Sequence, residues 1–142
     1  MTQTIRDMIE RRSCKAYLDK MPEREKLDAI IEAGLYAASG RNRQPAIILA
    51  VTDKALRDKL SAMNAEILGA QTDPFYNAPV VFVVLADASV NTAVYDGSLV
   101  MGNLMLAAHS LGLGSCWVQI HLRKSKLGKS SEDLLRLTQR PG

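Results

Sequence analysis

The segment PVVFVVLADASVNTAVYDGSLVMGNLMLAAHSL, residues 79–111, joins a strand pattern to a helix pattern and decides the fold class. In residues 79–86, six of the eight residues are β-branched, aromatic or Leu, and no polar residue alternates with them. This composition predicts a strand covered on both faces. Residues 92–111 are apolar nearly all round, which predicts a helix at the centre of a domain or between two subunits, ended by Gly112.

The flanking sequence predicts further amphipathic helices and short apolar strands. These elements are a helix over residues 4–10, a helix from Pro22 to residues 39–40, a strand over 46–51, a helix capped by Thr52 or Asp53, and a strand over 115–120. Helices mixed with buried strands indicate an α/β or α+β domain. We expect a central sheet of three or four strands, well covered by helices.

Length and composition favour one globular domain over residues 1–142. The chain has 142 residues, of which 47% are apolar and 23% charged, an ordinary balance for a folded domain. No apolar run approaches the roughly 18 residues of a membrane-spanning helix. The N-terminus carries charges where a signal peptide needs an apolar stretch. We therefore expect a cytoplasmic protein without a membrane partner.

The charge pattern gives little support for nucleic-acid or metal binding. The net charge is only +3, and much of the basic excess lies in residues 122–129. The seven aromatic residues form no dense stacking strand, so we expect no nucleic-acid partner. Two cysteines and two histidines make neither a disulfide framework nor a typical zinc site.

The segment after the first helix carries cations that could bind an anion. If the chain is extended there, the side chains of Arg11, Ser13 and Lys15 point the same way. Two cations and a hydroxyl would then form an oxyanion site, since Arg grips phosphate with two hydrogen bonds. The alternative is a solvated basic helix end, where cations complement the helix dipole.

A second polar segment, residues 39–45 (SGRNRQP), lies between a predicted helix and a predicted strand. Ligand contacts concentrate in loops that rigid elements hold at both ends. An ordinary helix-to-strand connection explains the same residues equally well. Elsewhere, no HExxH motif, Ser/His/Asp set or phosphate-binding glycine loop is present, and we predict no catalytic side chain and no metal ligand.

Taken together, four blocks resemble the nitroreductase family of flavin enzymes, in the family's order. They are residues 9–17 (IERRSCKAY), 37–45 (AASGRNRQP), 77–81 (NAPVV) and 96–117 (DGSLVMGNLMLAAHSLGLGSCW). Each block is a weak signal alone, but the ordered set is specific and covers roughly residues 5–120. Ala38 and Ala46 stand where the family usually has Pro and Trp.

The resemblance implies an α+β, three-layer fold, with a central, mostly antiparallel sheet flanked by helices, in a homodimer that binds FMN at its interface. The first block would contact the phosphate, ribityl chain and ring, and the second would reach the flavin of the partner subunit. The cofactor-binding residues implied are Arg11, Arg12, Ser13, Lys15, Ser39, Asn42, Gln44, Asn64 and Gln119. The match is looser for Gln44 and Asn64.

The function implied is hydride transfer from NAD(P)H to a nitroaromatic, quinone or similar small acceptor by a ping-pong mechanism. Because the cofactor performs the chemistry, the absence of a catalytic dyad is expected. The alternative is a non-catalytic or weakly active flavin-binding dimer. Residues 122–142 match the family poorly and have no counterpart of its final strand, so we expect an atypical tail and weaker FMN binding.

Overall fold

The computed structural model describes residues 1–118. The elements are α1 (Gln3–Glu10), α2 (Arg24–Leu35), β1 (Ala46–Val51), α3 (Lys54–Leu68), β2 (Val81–Ala86) and α4 (Ala93–Ser110), with a short 3₁₀ turn at Gly40–Asn42. The predictions for Gln119, for the end of the strand over 115–120 and for the 122–142 tail lie outside the described residues.

The two strands form an antiparallel pair that runs in register from Ala46 opposite Ala86 to Val51 opposite Val81. Within residues 1–118 the sheet has two strands, fewer than the three or four expected from the sequence. The described part of the predicted third strand makes a single parallel bridge, between Ser13 and Ser115. Its partner is thus the segment after α1, which the apolar pattern could not indicate.

Alternate side chains of the strands face two different helical layers. Ile48, Phe82 and Val84 pack against the core of α2 and α4, which is built from Ile30, Val100, Leu104 and Ala108. Val51, Val81 and Val83 pack on the other side, with Leu60 of α3 and Phe75. Helices therefore cover both faces of the sheet, which confirms the α+β, three-layer expectation and explains why β2 lacks polar alternation.

Close packing of α2 on α4 depends on Gly34. A Cβ placed there would lie 2.7 Å from side-chain carbons of both Ile48 and Leu104. Any larger residue would therefore push α2 away from the sheet and from α4.

The predicted ends of α2 were wrong at both termini. The helix begins at Arg24 rather than at Pro22, and it ends at Leu35 rather than at residues 39–40. The Gly40 N–H instead donates to the Asp96 carboxylate, which draws the chain towards α4. By contrast, the cap of α3 is one of its two sequence candidates: the carboxylate of Asp53, rather than Thr52, accepts from the Leu56 N–H at 2.8 Å.

No helix within residues 1–118 is both long and apolar enough to span a bilayer.

Candidate functional site

The first block leaves α1 after Glu10 and is extended at Ser13, which is the condition on which the anion site depends. The Cys14 N–H donates to the Ser115 carbonyl at 2.9 Å, beside the bridge between Ser13 and Ser115. Cys14 and Ala16 line a cavity of about 450 Å³, whereas none of the four first-block candidates does. Neither Ser13 nor Lys15 is among the residues that line this cavity, although Lys15 lies against the ring of Tyr76, which does line it.

The two adjacent arginines of this block have different environments. The Arg12 guanidinium is exposed and donates to the carbonyls of Ile9 and Arg11, the latter at 2.9 Å, so it caps the C-terminal end of α1. Arg11 is half-buried, and its Nη1 is buried without a hydrogen-bond partner among the described residues. The helix-end role thus belongs to Arg12, and Arg11 keeps an unused donor.

Two tyrosines surround the rest of the block. The Lys15 ammonium lies 5.6 Å from the ring centroid of Tyr76, within cation–π range. The Tyr17 hydroxyl donates to the Cys14 carbonyl. Burial, together with the nearby thiols of Cys116 and Cys14, raises the pKa of Tyr17 to about 12. Tyr17 therefore stays protonated and keeps donating throughout the physiological range.

The second block is fastened to the first turn of α4 by a buried carboxylate. Asp96 is only 4% exposed and accepts from the Gly40 N–H at 2.9 Å and from the Thr92 hydroxyl at 2.7 Å. A Cβ on Gly40 would lie 2.8 Å from the Thr92 hydroxyl oxygen, so this approach requires glycine. The Ser39 hydroxyl in turn accepts from the Gln44 N–H at 3.0 Å.

The backbone of the second block is strained. Arg41, Asn42 and Gln44 have φ values of 54°, 54° and 49°, in the left-handed region that L-residues normally avoid. Such strain persists only where surrounding contacts over-determine the conformation, and it clusters at binding sites. Ser39 and Gln44 also line a cavity of about 360 Å³ beside Asp96, whereas Asn42 does not. The geometry therefore favours a ligand loop over an ordinary connection.

The two blocks lie at opposite ends of α4. The second is anchored to Asp96 in the first turn, and the first is bridged to Ser115, beyond the last turn. At 1.5 Å per residue, the 14 steps of α4 from Asp96 to Ser110, the last residue of the helix, span about 21 Å. One chain therefore does not bring its own first and second blocks together.

Asn64 is placed differently from the other candidates. It lies on the buried face of α3, is 1% exposed, and lacks a partner for both amide atoms among the described residues. It lines neither cavity. The larger cavity is bounded mainly by apolar side chains of α2, β2 and α4, such as Leu27, Phe82 and Leu104.

A polar network between α3 and the loop before β2 was not found from sequence. The Asp73 carboxylate accepts from the Ser61 hydroxyl at 2.5 Å and from the Arg57 guanidinium. Arg57 Nε also donates to the Ala78 carbonyl at 2.9 Å. Burial alone would raise the pKa of Asp73, but the hydrogen bonds from Ser61, Arg57 and two backbone N–H groups outweigh it and lower the pKa to about 2. An Asp-Pro pair such as residues 73–74 is typical of a turn and gives no indication of this network.

Within residues 1–118, no group of three or more histidine, cysteine, aspartate or glutamate side chains could hold a metal ion. The donors that the structure does assemble are cationic and amide groups, which suit an anionic organic ligand.

Comparison with known proteins identifies one family. The model of the Nitroreductase family matches residues 8–74 and 66–141. A protein of Archaeoglobus fulgidus that bears the name NADH dehydrogenase/NAD(P)H nitroreductase is 30% identical over 144 residues, which cover 98% of this chain and 79% of the relative. A Bacillus subtilis protein named FMN reductase (NAD(P)H) is 30% identical over 138 residues, which cover 81% of this chain and 53% of the relative.

A solved structure has the same architecture. The nitroreductase of Bacteroides fragilis, crystallised with bound FMN, is 25% identical and superposes with a TM-score of 0.88. The superposition covers 99% of this chain and 82% of that chain.

Proposed function

The chain belongs to the nitroreductase family, and on that premise we propose that it is an FMN-dependent oxidoreductase that uses NAD(P)H to reduce small acceptors. The acceptors proposed are nitroaromatics, quinones and similar molecules. The observation that carries the proposal is the buried Nη1 of Arg11, which has no hydrogen-bond partner within residues 1–118 and lies in the block where the family resemblance places FMN. A buried charged donor left without an acceptor is costly, so the site is built for an anion.

The residues of the first block fit FMN in their chemistry. Arg11 offers its guanidinium to the phosphate, for which the planar fork of arginine is suited. Ser13 and Lys15 are exposed, so that Ser13 would be available to the ribityl chain and Lys15 to the ring. Arg12, whose Nη1 is engaged at the end of α1, would contribute positive potential near the phosphate.

When bound, FMN supplies the redox chemistry, accepting electrons from NAD(P)H and passing them to the acceptor. The side chains hold and tune it. The Lys15 ammonium would stabilise negative charge on the reduced ring, which raises the reduction potential. We propose that NAD(P)H and the acceptor use one face of the ring in turn, in a ping-pong sequence.

We also propose that the active form is a homodimer in which the second block of one subunit completes the site of the other. The separation of about 21 Å along α4 supports this, since the two blocks of one chain lie too far apart to contact the same ring. Exposed apolar side chains on α1 and at the start of α4 support it as well: Ile5, Met8, Ile9, Val94, Tyr95 and Leu99. A second copy is the partner that would bury them.

In this dimer, Ser39, Asn42 and Gln44 would face the partner's flavin from their strained loop. The family resemblance also assigns to the flavin site Gln119 and Asn64, whose two amide atoms have no hydrogen-bond partner within residues 1–118. We further propose a single domain over residues 1–142 in which residues 122–142, atypical in sequence for the family, would contribute less to FMN binding.

The proposal is tested first by titrating the flavin-free protein with FMN. We expect saturable binding and a yellow product whose absorbance NAD(P)H bleaches and a quinone restores. Arg11→Ala should weaken FMN binding at least tenfold, whereas Arg6→Ala, which removes an exposed arginine of α1, should not. Absence of FMN binding would overturn the proposal. Binding without turnover would leave the alternative, a flavin-binding dimer without activity.

The dimer is tested by light scattering behind size exclusion. We expect twice the chain mass of 15.5 kDa. Tyr95→Glu, at a side chain that is 72% exposed, should yield monomers that have lost FMN affinity. Leu68→Glu, at an exposed apolar residue of α3 in the opposite layer, should stay dimeric. A monomeric parent protein that binds FMN normally would contradict the proposal.

A further inference from the structure

The loop between α3 and β2 places one aromatic ring against the first-block lysine. The Tyr76 ring centroid lies 5.6 Å from the Lys15 ammonium. The two residues are 61 positions apart in the chain, so only tertiary structure brings them together. The Lys15 ammonium lies over the ring of Tyr76, so the ring face is what Tyr76 offers to Lys15.

This loop is held rigidly from both ends. Besides Ser61 and Arg57, Asp73 accepts from the backbone N–H of Phe75 at 2.9 Å and from that of Asn77 at 2.8 Å. Phe75 is buried in the core shared with Val51 and Leu60. Arg57, itself only 7% exposed, holds the far end of the loop through the Ala78 carbonyl.

The conformation so enforced is one that the residues would not choose alone. Tyr76 and Asn77 have φ values of 55° and 57°, two consecutive left-handed residues of which neither is glycine. A left-handed conformation is especially unusual for a bulky residue such as tyrosine. The Asp73 hydrogen bonds flank Tyr76 on both sides and maintain this strain. These hydrogen bonds therefore fix the position of the Tyr76 ring.

We propose that Tyr76 is a positioning residue for Lys15, and that its ring fixes the lysine ammonium towards the flavin. The inference rests on the proposed function, because Lys15 matters to the reaction only if FMN binds beside it. A flexible lysine loses side-chain entropy when it is held against a ligand, and a ring that orders it beforehand reduces that loss. A Lys15 held in place also acts on the reduced ring at a fixed distance.

The test uses variants that keep the backbone and remove the ring. Tyr76→Asn and Tyr76→Gly both tolerate the left-handed conformation, whereas Tyr76→Phe keeps the ring. We expect FMN dissociation constants about two- to fivefold higher in Tyr76→Asn and Tyr76→Gly, and a lower reduction potential of the bound flavin. Tyr76→Phe should match the parent in both measurements. Thermal unfolding of each variant checks that the fold survives.

The same substitution in a Lys15→Met background separates positioning from a general structural effect. If Tyr76 acts through Lys15, Tyr76→Asn should add nothing once Lys15 is gone. An equal loss in both backgrounds, or no change in affinity and potential in either ring-less variant, would overturn the inference while FMN binding by the parent still stands. A parent that binds no FMN would overturn the proposed function, and this inference with it.

Discussion

Within residues 1–118, two loops hold non-glycine residues in the left-handed conformation. In each loop, hydrogen bonds to one aspartate maintain that conformation. In the loop over residues 73–79, Asp73 accepts from its own loop and from α3, so that the strain is contained within one corner of the fold. In the loop over residues 39–45, Asp96 accepts from Gly40 across 56 positions of sequence. The first loop places the ring of Tyr76 against Lys15. The second loop lies beside the cavity that Ser39 and Gln44 line.

Left-handed backbone is thus held in two different ways in these loops. A network closed on itself, as at Asp73, makes a rigid support for a neighbouring side chain. A loop with one side-chain anchor outside it, the bond from the Gly40 N–H to Asp96, keeps Ser39 and Gln44 beside a cavity that a ligand or a second subunit could occupy. The predictions below remove one anchor at a time.

The largest effect is expected from removing the carboxylate of the closed network. Asp73→Ala should lower the free energy of unfolding by about 3–5 kcal/mol, because the buried Arg57 guanidinium loses its buried carboxylate and keeps only the exposed one of Asp58. Urea unfolding measures this loss. Asp58→Ala, which removes an exposed carboxylate that also contacts Arg57, is the control and should cost less than about 1 kcal/mol. Equal losses in the two variants would contradict the central role of Asp73.

The second-largest effect is expected from removing Asp96, which holds the loop over residues 39–45. Asp96→Ala removes the acceptor of both the Gly40 N–H and the Thr92 hydroxyl, and we expect a loss of about 2–3 kcal/mol in unfolding free energy. Because the second block would lose its shape, FMN affinity should fall as well. Thr92→Ala removes only one of the two bonds and should cost less. A stable Asp96→Ala protein with unchanged FMN affinity would contradict this role.

The pH dependence of stability should reveal the closed network in the intact protein. The Asp73 pKa is lowered to about 2 in the folded state, so its contribution is full above the unfolded value near 4. As the pH falls from about 4 to about 2, roughly 2 kcal/mol of stability should be lost. Urea unfolding at pH 7, 4 and 2.5 measures the trend. Asp73→Asn should show a correspondingly shallower decline, and an unchanged decline would show that other groups cause it.

The smallest effect should come from relieving strain in the open loop. Arg41 is exposed and has a φ of 54°, so Arg41→Gly should raise the free energy of unfolding by about 0.5–1 kcal/mol. Arg43, also exposed but with a φ of −76°, is the matched control, and Arg43→Gly should destabilise slightly. Thermal unfolding compares the two. A gain in both variants would mean that strain at Arg41 is not the cause.

The elements with a clear periodic pattern were predictable. The strand over residues 46–51 and the Asp53 cap of α3 follow from the sequence, and α4 differs from its prediction by one residue at each end. The family, too, could be identified from four short blocks in order. By contrast, the end of α2 was predicted four residues or more too late, since the pull of Asp96 on Gly40 leaves no mark in local sequence.

The candidate site, too, was predictable only in part from the sequence. The residue types of the first block left an anion site and a solvated helix end both open, and the structure bridges the chain there to Ser115. What the sequence could not reveal is that Arg12 caps α1 while Arg11 keeps an unpaired donor, because the two are adjacent and chemically identical. Nor did it indicate the contact between Lys15 and Tyr76.

The sequence by itself determined the helices, the strands, the family and the kinds of group that surround the site, since hydrophobic periodicity and local capping act over a few neighbouring residues. Only the tertiary structure decided which aspartate holds which loop, which arginine keeps an unused donor, and how far apart the two blocks lie. Those outcomes depend on hydrogen bonds between residues distant in the chain, and their partners are set by how the helices pack on the sheet.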